Sequence, residues 1–345
     1  MIALLAGLCF FLVFEWFDKD IFTLLGGQGE AFEQALIYTG VVFFGAIPVW
    51  LVNTFTSVIR GGGNMKVPSL CLLLISVLQV VLGGGLSLGW GPLPRLGIAG
   101  VALGSVVAYS SAATFLFWFL SSGKARVRLN LKNLSFQRAM FHDILKVGAL
   151  ACISPIQSVL TILILTRLVA RYGMEALAGY GVGARLEFLL VPITFAVGAA
   201  CVPMVGMAIG AGMPDRARRV AWTGGTLAGV ALGLIGLFFA VFPAFWVSHF
   251  TTDPIATSMA HSYLNWAGPC FGLYGLALCL FFASMGSGKV LGPVLAQSLR
   301  LLIVALGGWG LVEWGAPAWA MFALAGFSMC IYGPATVFAV HKTVW

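Results

Sequence analysis

Long apolar runs, separated by short polar clusters, dominate the chain. Ten such runs cover roughly 1–17, 34–59, 68–90, 98–120, 144–170, 176–210, 220–247, 256–284, 290–312 and 317–340. Most exceed the about 20 residues that a helix needs to cross the hydrocarbon core of a bilayer. A lone strand cannot satisfy its backbone groups in lipid, so helices are the expected element. The pattern therefore predicts an all-α polytopic membrane protein with about ten transmembrane helices. The first run is short for a span.

Composition sharpens this picture. Of 345 residues, 60% are hydrophobic and only 9% charged; the mean hydropathy is +1.01. A soluble domain carries about 25% charged residues, so this chain has too little polar surface to cover a soluble globule. The 44 glycines fit close packing of helices in a membrane. The seven cysteines sit in apolar runs with no CxxC pair or metal-ligand spacing, and read as small hydrophobes. Met1 is followed at once by apolar sequence, with no basic region before it and no cleavage site after it, so no signal peptide is expected.

The net charge of +8 raises the question of a nucleic-acid partner. Its distribution answers it. Thirteen basic residues, among them Arg60, Lys66, Arg128, Lys132, Arg216 and Lys289, fall in one alternating set of loops. Four fall in the other set: Lys19, Arg95, Arg167 and Arg171. That asymmetry is the positive-inside signal and assigns the first set to the cytoplasm. Asp18, Asp20, Glu30, Glu33, Glu175, Asp253 and Glu313 then lie outside. The basic excess reports topology, and no nucleic-acid partner is expected.

The longest polar stretch, residues 121–143, divides the chain into 1–120, a cytoplasmic linker, and 144–345. The chain also repeats. Tyr38, Gly61, Gly63 and Pro68 recur as Tyr263, Gly286, Gly288 and Pro293, each 225 residues later. This register lays 1–120 over 226–345 and leaves 144–225 without a partner, so the first half has four segments and the second six. Both halves keep one orientation in the membrane.

Four motifs carry a resemblance to a known family. They are "ALAGYGVGARLEFLLVP" (176–192), "GMAIGAGMPDRARRVAW" (206–222), "IRGGGNMKVP" (59–68) and "LGIAGVALGS" (96–105). In these motifs and in the order of its elements the chain resembles the multidrug and toxic compound extrusion (MATE) transporters over nearly its whole length. The resemblance implies two lobes of six helices, of which the amino-terminal lobe here lacks its first two. A misread start or a truncated gene is the expected origin. Two further departures stand out. Met207 replaces the glutamine of the family's Gly-Gln-Asn loop. Ser158 and Tyr274 occupy positions where some members carry a cation-binding Glu and Asp, which counts against a sodium site of that kind.

Inside the apolar runs, Arg185 and Glu187 demand an explanation. Two residues apart on a helix they point about 200° apart, so they cannot pair with each other. Glu187 lies eleven residues into its run, about 16 Å deep at 1.5 Å per residue. A charge there costs at least about 2.5–3.5 kcal/mol, so both side chains are expected to face protein or a wet cavity. Two roles fit Glu187. Burial disfavours the charged form of a carboxyl group, which suits a proton-coupling or substrate-cation site; alternatively Glu187 is structural, bonded to backbone or to Arg300 or Arg167. Arg185 is expected to be structural, braced against a neighbouring carbonyl. Gln157, Ser158 and Tyr274 join Glu187 as candidate ion-coupling or substrate-binding residues through their register with family positions. Pro155, Pro192, Pro203 and Pro269 are expected to interrupt helices.

Other chemistry is excluded. "ASMGSGKV" (283–290) lacks the first glycine of a phosphate loop and has Val290 where a magnesium-binding hydroxyl belongs, so no ATP site is expected. His142, His249, His261 and His341 form no HExxH, there is no GxSxG, and no metal or organic cofactor is implied. The chain thus reads as a non-enzymatic antiporter of the cytoplasmic membrane. It would export amphipathic or cationic small molecules in exchange for H+ or Na+. The alternatives are a lipid-linked saccharide flippase of the same superfamily and a non-transporting truncated fragment.

Overall fold

The computed structural model describes residues 2–24, 29–92, 94–127 and 138–343, except the side chains of Leu24 and Ala31. The centre of the 121–143 linker, with Arg128 and Lys132, lies outside the described residues. The chain forms two compact units, Met1–Ser135 and Phe136–Trp345. Among the described residues there are helices and turns and no strands.

The first unit holds α1 (Ile2–Leu24), α2 (Gly29–Phe44), α3 (Ala46–Gly61), α4 (Lys66–Leu88) and α5 (Ile98–Ser121). Its core gathers Val52, Ile59, Cys71, Ile75, Ala108, Leu116 and Leu120. Small residues set the α4–α5 spacing. A methyl group on Gly104 would lie 2.3 Å from the backbone nitrogen of Gly83, so this helix pair touches backbone to backbone.

The second unit holds α6 (Arg138–Val169), α7 (Met174–Gly210), α8 (Pro214–Val241), the short α9 (Ala244–Val247), α10 (Pro254–Ala267), α11 (Phe271–Ser287), α12 (Leu291–Leu302), α13 (Gly308–Glu313) and α14 (Ala318–Lys342). A 3₁₀ turn, Gly268–Cys270, joins α10 to α11, and a π-helical turn, Ile303–Gly307, joins α12 to α13. The start of α10 is specified locally. Asp253 caps it by accepting the Ala256 N–H at 2.7 Å, and Pro254 supplies a first-turn residue that needs no donor. The core includes Leu186, Leu232, Tyr263, Leu264, Phe271, Met321, Phe322, Met329 and Tyr332.

The 225-residue repeat recurs element by element. Helices start at 29 and 254, at 46 and 271, and at 66 and 291; they end at 88 and 313. Gly63 and Gly288 both take positive φ, +84° and +72°, a conformation open to glycine and costly for other residues. Both units break the helix at the same register, at Gly45 in one and at Gly268–Cys270 in the other. In the first unit the two sides of that break are bent by 48°. By this register α6 and α7 have no counterpart in the first unit.

Among the described residues, all ten apolar segments are mainly helical, with breaks at Gly45 and at Phe242–Pro243. Among the described residues, eight helices, or helical runs counted through their short breaks, are long and apolar enough to span a membrane; counting the bent α2–α3 pair as one span gives nine. The α1 helix falls short because Glu15, Asp18, Lys19 and Asp20 interrupt its second half. The structure corrects the proline expectation. Pro155, Pro192 and Pro203 lie inside continuous α6 and α7, and only Pro269 falls in a break. In membrane helices neighbouring groups can re-satisfy a carbonyl that proline frees, so the ladder continues.

Candidate functional site

Glu187 anchors a polar cluster inside the second unit. It lies on α7 one turn beyond Gly183, so the two share a helix face. The Tyr263 ring from α10 packs directly against Gly183, where a methyl group would lie 2.2 Å from Cδ1. That close approach lets the Tyr263 hydroxyl donate to Glu187 Oε2 at 3.0 Å. The Arg300 Nη2 of α12 lies 3.6 Å from Glu187 Oε1. Both side chains are buried, and Glu187 and Arg300 are the only charged side chains buried among the described residues.

Aromatic rings complete the enclosure. The Arg300 guanidinium lies 4.7 Å from the centroid of Tyr274 on α11, within cation–π range. Tyr274 in turn lies 6.1 Å from Tyr332 on α14. Tyr180 and Phe322 meet Tyr263 edge-on at 5.3 and 5.8 Å. The Arg300 Nε is buried without a hydrogen-bond partner. Five helices thus close around a single Glu–Arg pair of no net charge. In the 225-residue register Arg300 corresponds to Ile75, an apolar core residue, so the first unit has no equivalent charge pair.

The candidate residues converge on α12 by two routes. Tyr274 meets Glu187's partner Arg300 directly. Gln157 and Ser158 of α6 engage α12 reciprocally. Gln157 donates to the Ser298 hydroxyl at 2.7 Å, and Gln297 donates to the Ser158 hydroxyl at 3.1 Å. Gln297 and Arg300 are three residues apart and share a face of α12, so this polar seam borders the charge pair. Gln157 and Ser158 thus reach the pair through α12, by way of Ser298 and Gln297.

Arg185 departs from expectation. It is exposed, and its guanidinium lies 5.2 Å from the centroid of Phe250. An aromatic face takes the place expected for a carbonyl. The neighbouring Val182 carbonyl is instead engaged by the Trp246 indole N–H at 3.0 Å. Arg167, one of two arginines considered as partners for Glu187, is also exposed.

The sequence reading missed Tyr263 as a site residue, and with it Tyr180, Tyr332 and Ser298. One signal was available. Tyr263 is the residue that the repeat carries over from Tyr38, and Gly183 stands one turn before the intramembrane Glu187.

A membrane-bound Glu–Arg pair of this kind can hold a proton or cation at the carboxylate. It can also exchange its partner when that carboxylate is neutralised. It offers no nucleophile with an adjacent base, and no group of three or more metal-ligating side chains occurs among the described residues.

Known proteins resemble this chain in overall sequence and fold. A family model described as MatE matches residues 1–83 and 151–309. The chain is 26% identical over 294 residues to the probable multidrug resistance protein YoeA of Bacillus subtilis, covering 84% of this chain and 63% of that protein. It is 24% identical over 300 residues to an FAD transporter of Shewanella oneidensis, covering 84% and 64%. It is 26% identical over 306 residues to the multidrug export protein MepA of Staphylococcus aureus, covering 86% and 65%. The chain therefore spans just under two thirds of the length of these relatives. Among solved structures, MATE in the bent conformation superposes with a TM-score of 0.87 at 19% identity, covering 99% of this chain and 75% of that one. A MOP superfamily transporter from Pyrococcus furiosus gives 0.88 at 18% identity, covering 99% and 78%. These likenesses establish the fold, and the family match, over more than half of the chain, establishes the lineage. The protein is a multi-pass membrane protein and belongs to the MatE family.

Proposed function

We propose that the protein works as a secondary active antiporter of the cytoplasmic membrane. It exports amphipathic or cationic small molecules in exchange for H+ or Na+ by alternating access. Relatives named for multidrug export and multidrug resistance support the reading. The observation that carries it is the buried Glu187–Arg300 pair with its Tyr263 donor. A proton or cation arriving at Glu187 cancels the counter-charge that Arg300 relies on. Arg300 then faces the Tyr274 ring with no counter-charge. A buried charge left without its partner is strongly disfavoured, so loading of Glu187 favours a different packing of α7 against α12. Coupling between ion and substrate needs a two-state element of that kind.

The test is transport in proteoliposomes holding the full chain. A pH or sodium gradient is imposed, and flux of the amphipathic cation ethidium is followed by fluorescence. Gradient-dependent ethidium movement supports the proposal. Flux of an anionic nucleotide such as FAD without ethidium flux would move the substrate class towards that of the Shewanella relative. Lipid-linked saccharide movement would favour a flippase, and absence of any flux would leave a non-transporting chain.

A further inference from the structure

Two of the seven cysteines meet where α14 packs against the break between α10 and α11. Cys270 ends the 3₁₀ turn between α10 and α11, and Cys330 lies in the middle of α14. Their sulfurs are 3.1 Å apart, with the Cys330 thiol directed at Cys270 Sγ. The Cys270 thiol is directed at the Trp266 carbonyl, 3.5 Å away. Both residues are free thiols of intermediate exposure. A second pair, Cys201 and Cys279, also lies side by side, but both of its members are sealed in the core.

The site of this pair is set by the architecture. In the first unit the helix break occurs at Gly45, and that glycine sits against Val106 of the unit's last helix, α5. The second unit makes the same kind of contact between its break and its last helix, α14. There it places two sulfurs in the contact, where the first unit has a glycine and a valine.

We propose that Cys270 and Cys330 form a membrane-embedded dithiol site for neutral, thiophilic, two-thiol ligands, of which trivalent organoarsenicals are the chemical class. The sulfurs are already adjacent, so one arsenic atom reaches both with little rearrangement. The reaction balances without a change of oxidation state. An arsenoxide, RAsO, takes two thiols; two As–S bonds form, the As–O bond breaks, and both thiol protons leave with the oxygen as water. A neutral arsenical needs no aqueous path to a half-buried site among apolar residues. The product ties α14 to the break between α10 and α11. This inference concerns a separate site and does not depend on the proposed transport activity.

Phenylarsine oxide added to the purified full chain tests it, read by intact mass. The expected result is one adduct per chain, with the mass of one phenylarsenic group less two hydrogens. That adduct should survive excess monothiol, reverse with dimercaptopropanol, and disappear in both Cys270→Ser and Cys330→Ser. Peptide mapping of the wild-type adduct should join the peptide holding Cys270 to the peptide holding Cys330, a readout that needs no variant to fold. A wild-type chain that takes up no monothiol-resistant adduct would overturn the proposal. So would an adduct that maps to other cysteines or persists in the two serine variants.

Discussion

Charge pairing at Glu187 and Arg300 predicts a specific pattern of stability. At 3.6 Å and an effective dielectric constant of about 20, two unit charges attract by roughly 4–5 kcal/mol. Removing them from water costs several kcal/mol per ion, so the intact pair contributes little net stability. Breaking it is different. Arg300→Met leaves the Glu187 carboxylate with the Tyr263 hydroxyl as donor and no counter-charge. Glu187→Gln leaves Arg300 facing Tyr274 with no counter-charge. Each single substitution is expected to cost about 3–5 kcal/mol. The double substitution, which removes both charges, is expected to cost far less than the sum, with an interaction term of at least about 2–3 kcal/mol. Equilibrium unfolding in detergent micelles, titrated with a denaturing surfactant, measures all four corners of the cycle. Additive single effects would refute the reasoning, because they would mean that the two side chains do not sense each other.

Three further outcomes follow from close approaches in the structure. Tyr263→Phe removes one hydrogen bond to a carboxylate and is expected to cost about 1.5–3 kcal/mol in the same unfolding assay, with its effect lost in the Glu187→Leu background. Gly183→Ala puts a methyl group 2.2 Å from the Tyr263 ring; overpacking of about 1–3 kcal/mol is expected, with loss of the Tyr263–Glu187 bond. In the first unit, Gly104→Ala drives a methyl group into the backbone of α4, whereas Gly84→Ala meets nothing within 4 Å. The first should lower the melting temperature measured by thiol-reactive dye or intrinsic fluorescence, and the second should leave it unchanged or raise it.

Much of the fold is legible in the sequence because a bilayer imposes few options. Apolar length fixes helix number to within one or two, and α1 falls short for a reason visible in its charges, Glu15, Asp18, Lys19 and Asp20. The repeat is legible because backbone geometry enforces it. Gly63 and Gly288 occupy matching turns that need positive φ, so the residue type survives where side-chain packing has diverged. The prolines misled because membrane helices absorb them: α7 runs through both Pro192 and Pro203.

Legibility of the site was narrower. The depth of Glu187 marks it as costly, but its partner lies 113 positions along the chain, at Arg300, and only the topology brings α7 to α12. Tyr263 and Tyr332 are hidden for a related reason. A tyrosine in an apolar run looks like packing until its hydroxyl is seen to reach a carboxylate or its ring to line the pair's enclosure. Arg185 shows the opposite case. Its charge is as conspicuous in sequence as that of Glu187, yet it is exposed and lies over Phe250.

The most direct measurement compares two modes of ethidium movement in proteoliposomes: exchange with no ion gradient, and accumulation driven by a pH or sodium gradient. It is made on the wild type and on the Glu187→Gln, Arg300→Met double variant, in which the pair is neutralised without leaving a lone buried charge. The coupling role of the pair predicts that the wild type shows both modes, and that the double variant keeps exchange and loses gradient-driven accumulation. Full gradient-driven accumulation by the double variant would contradict it, and would leave the Glu187–Arg300 pair as a structural brace.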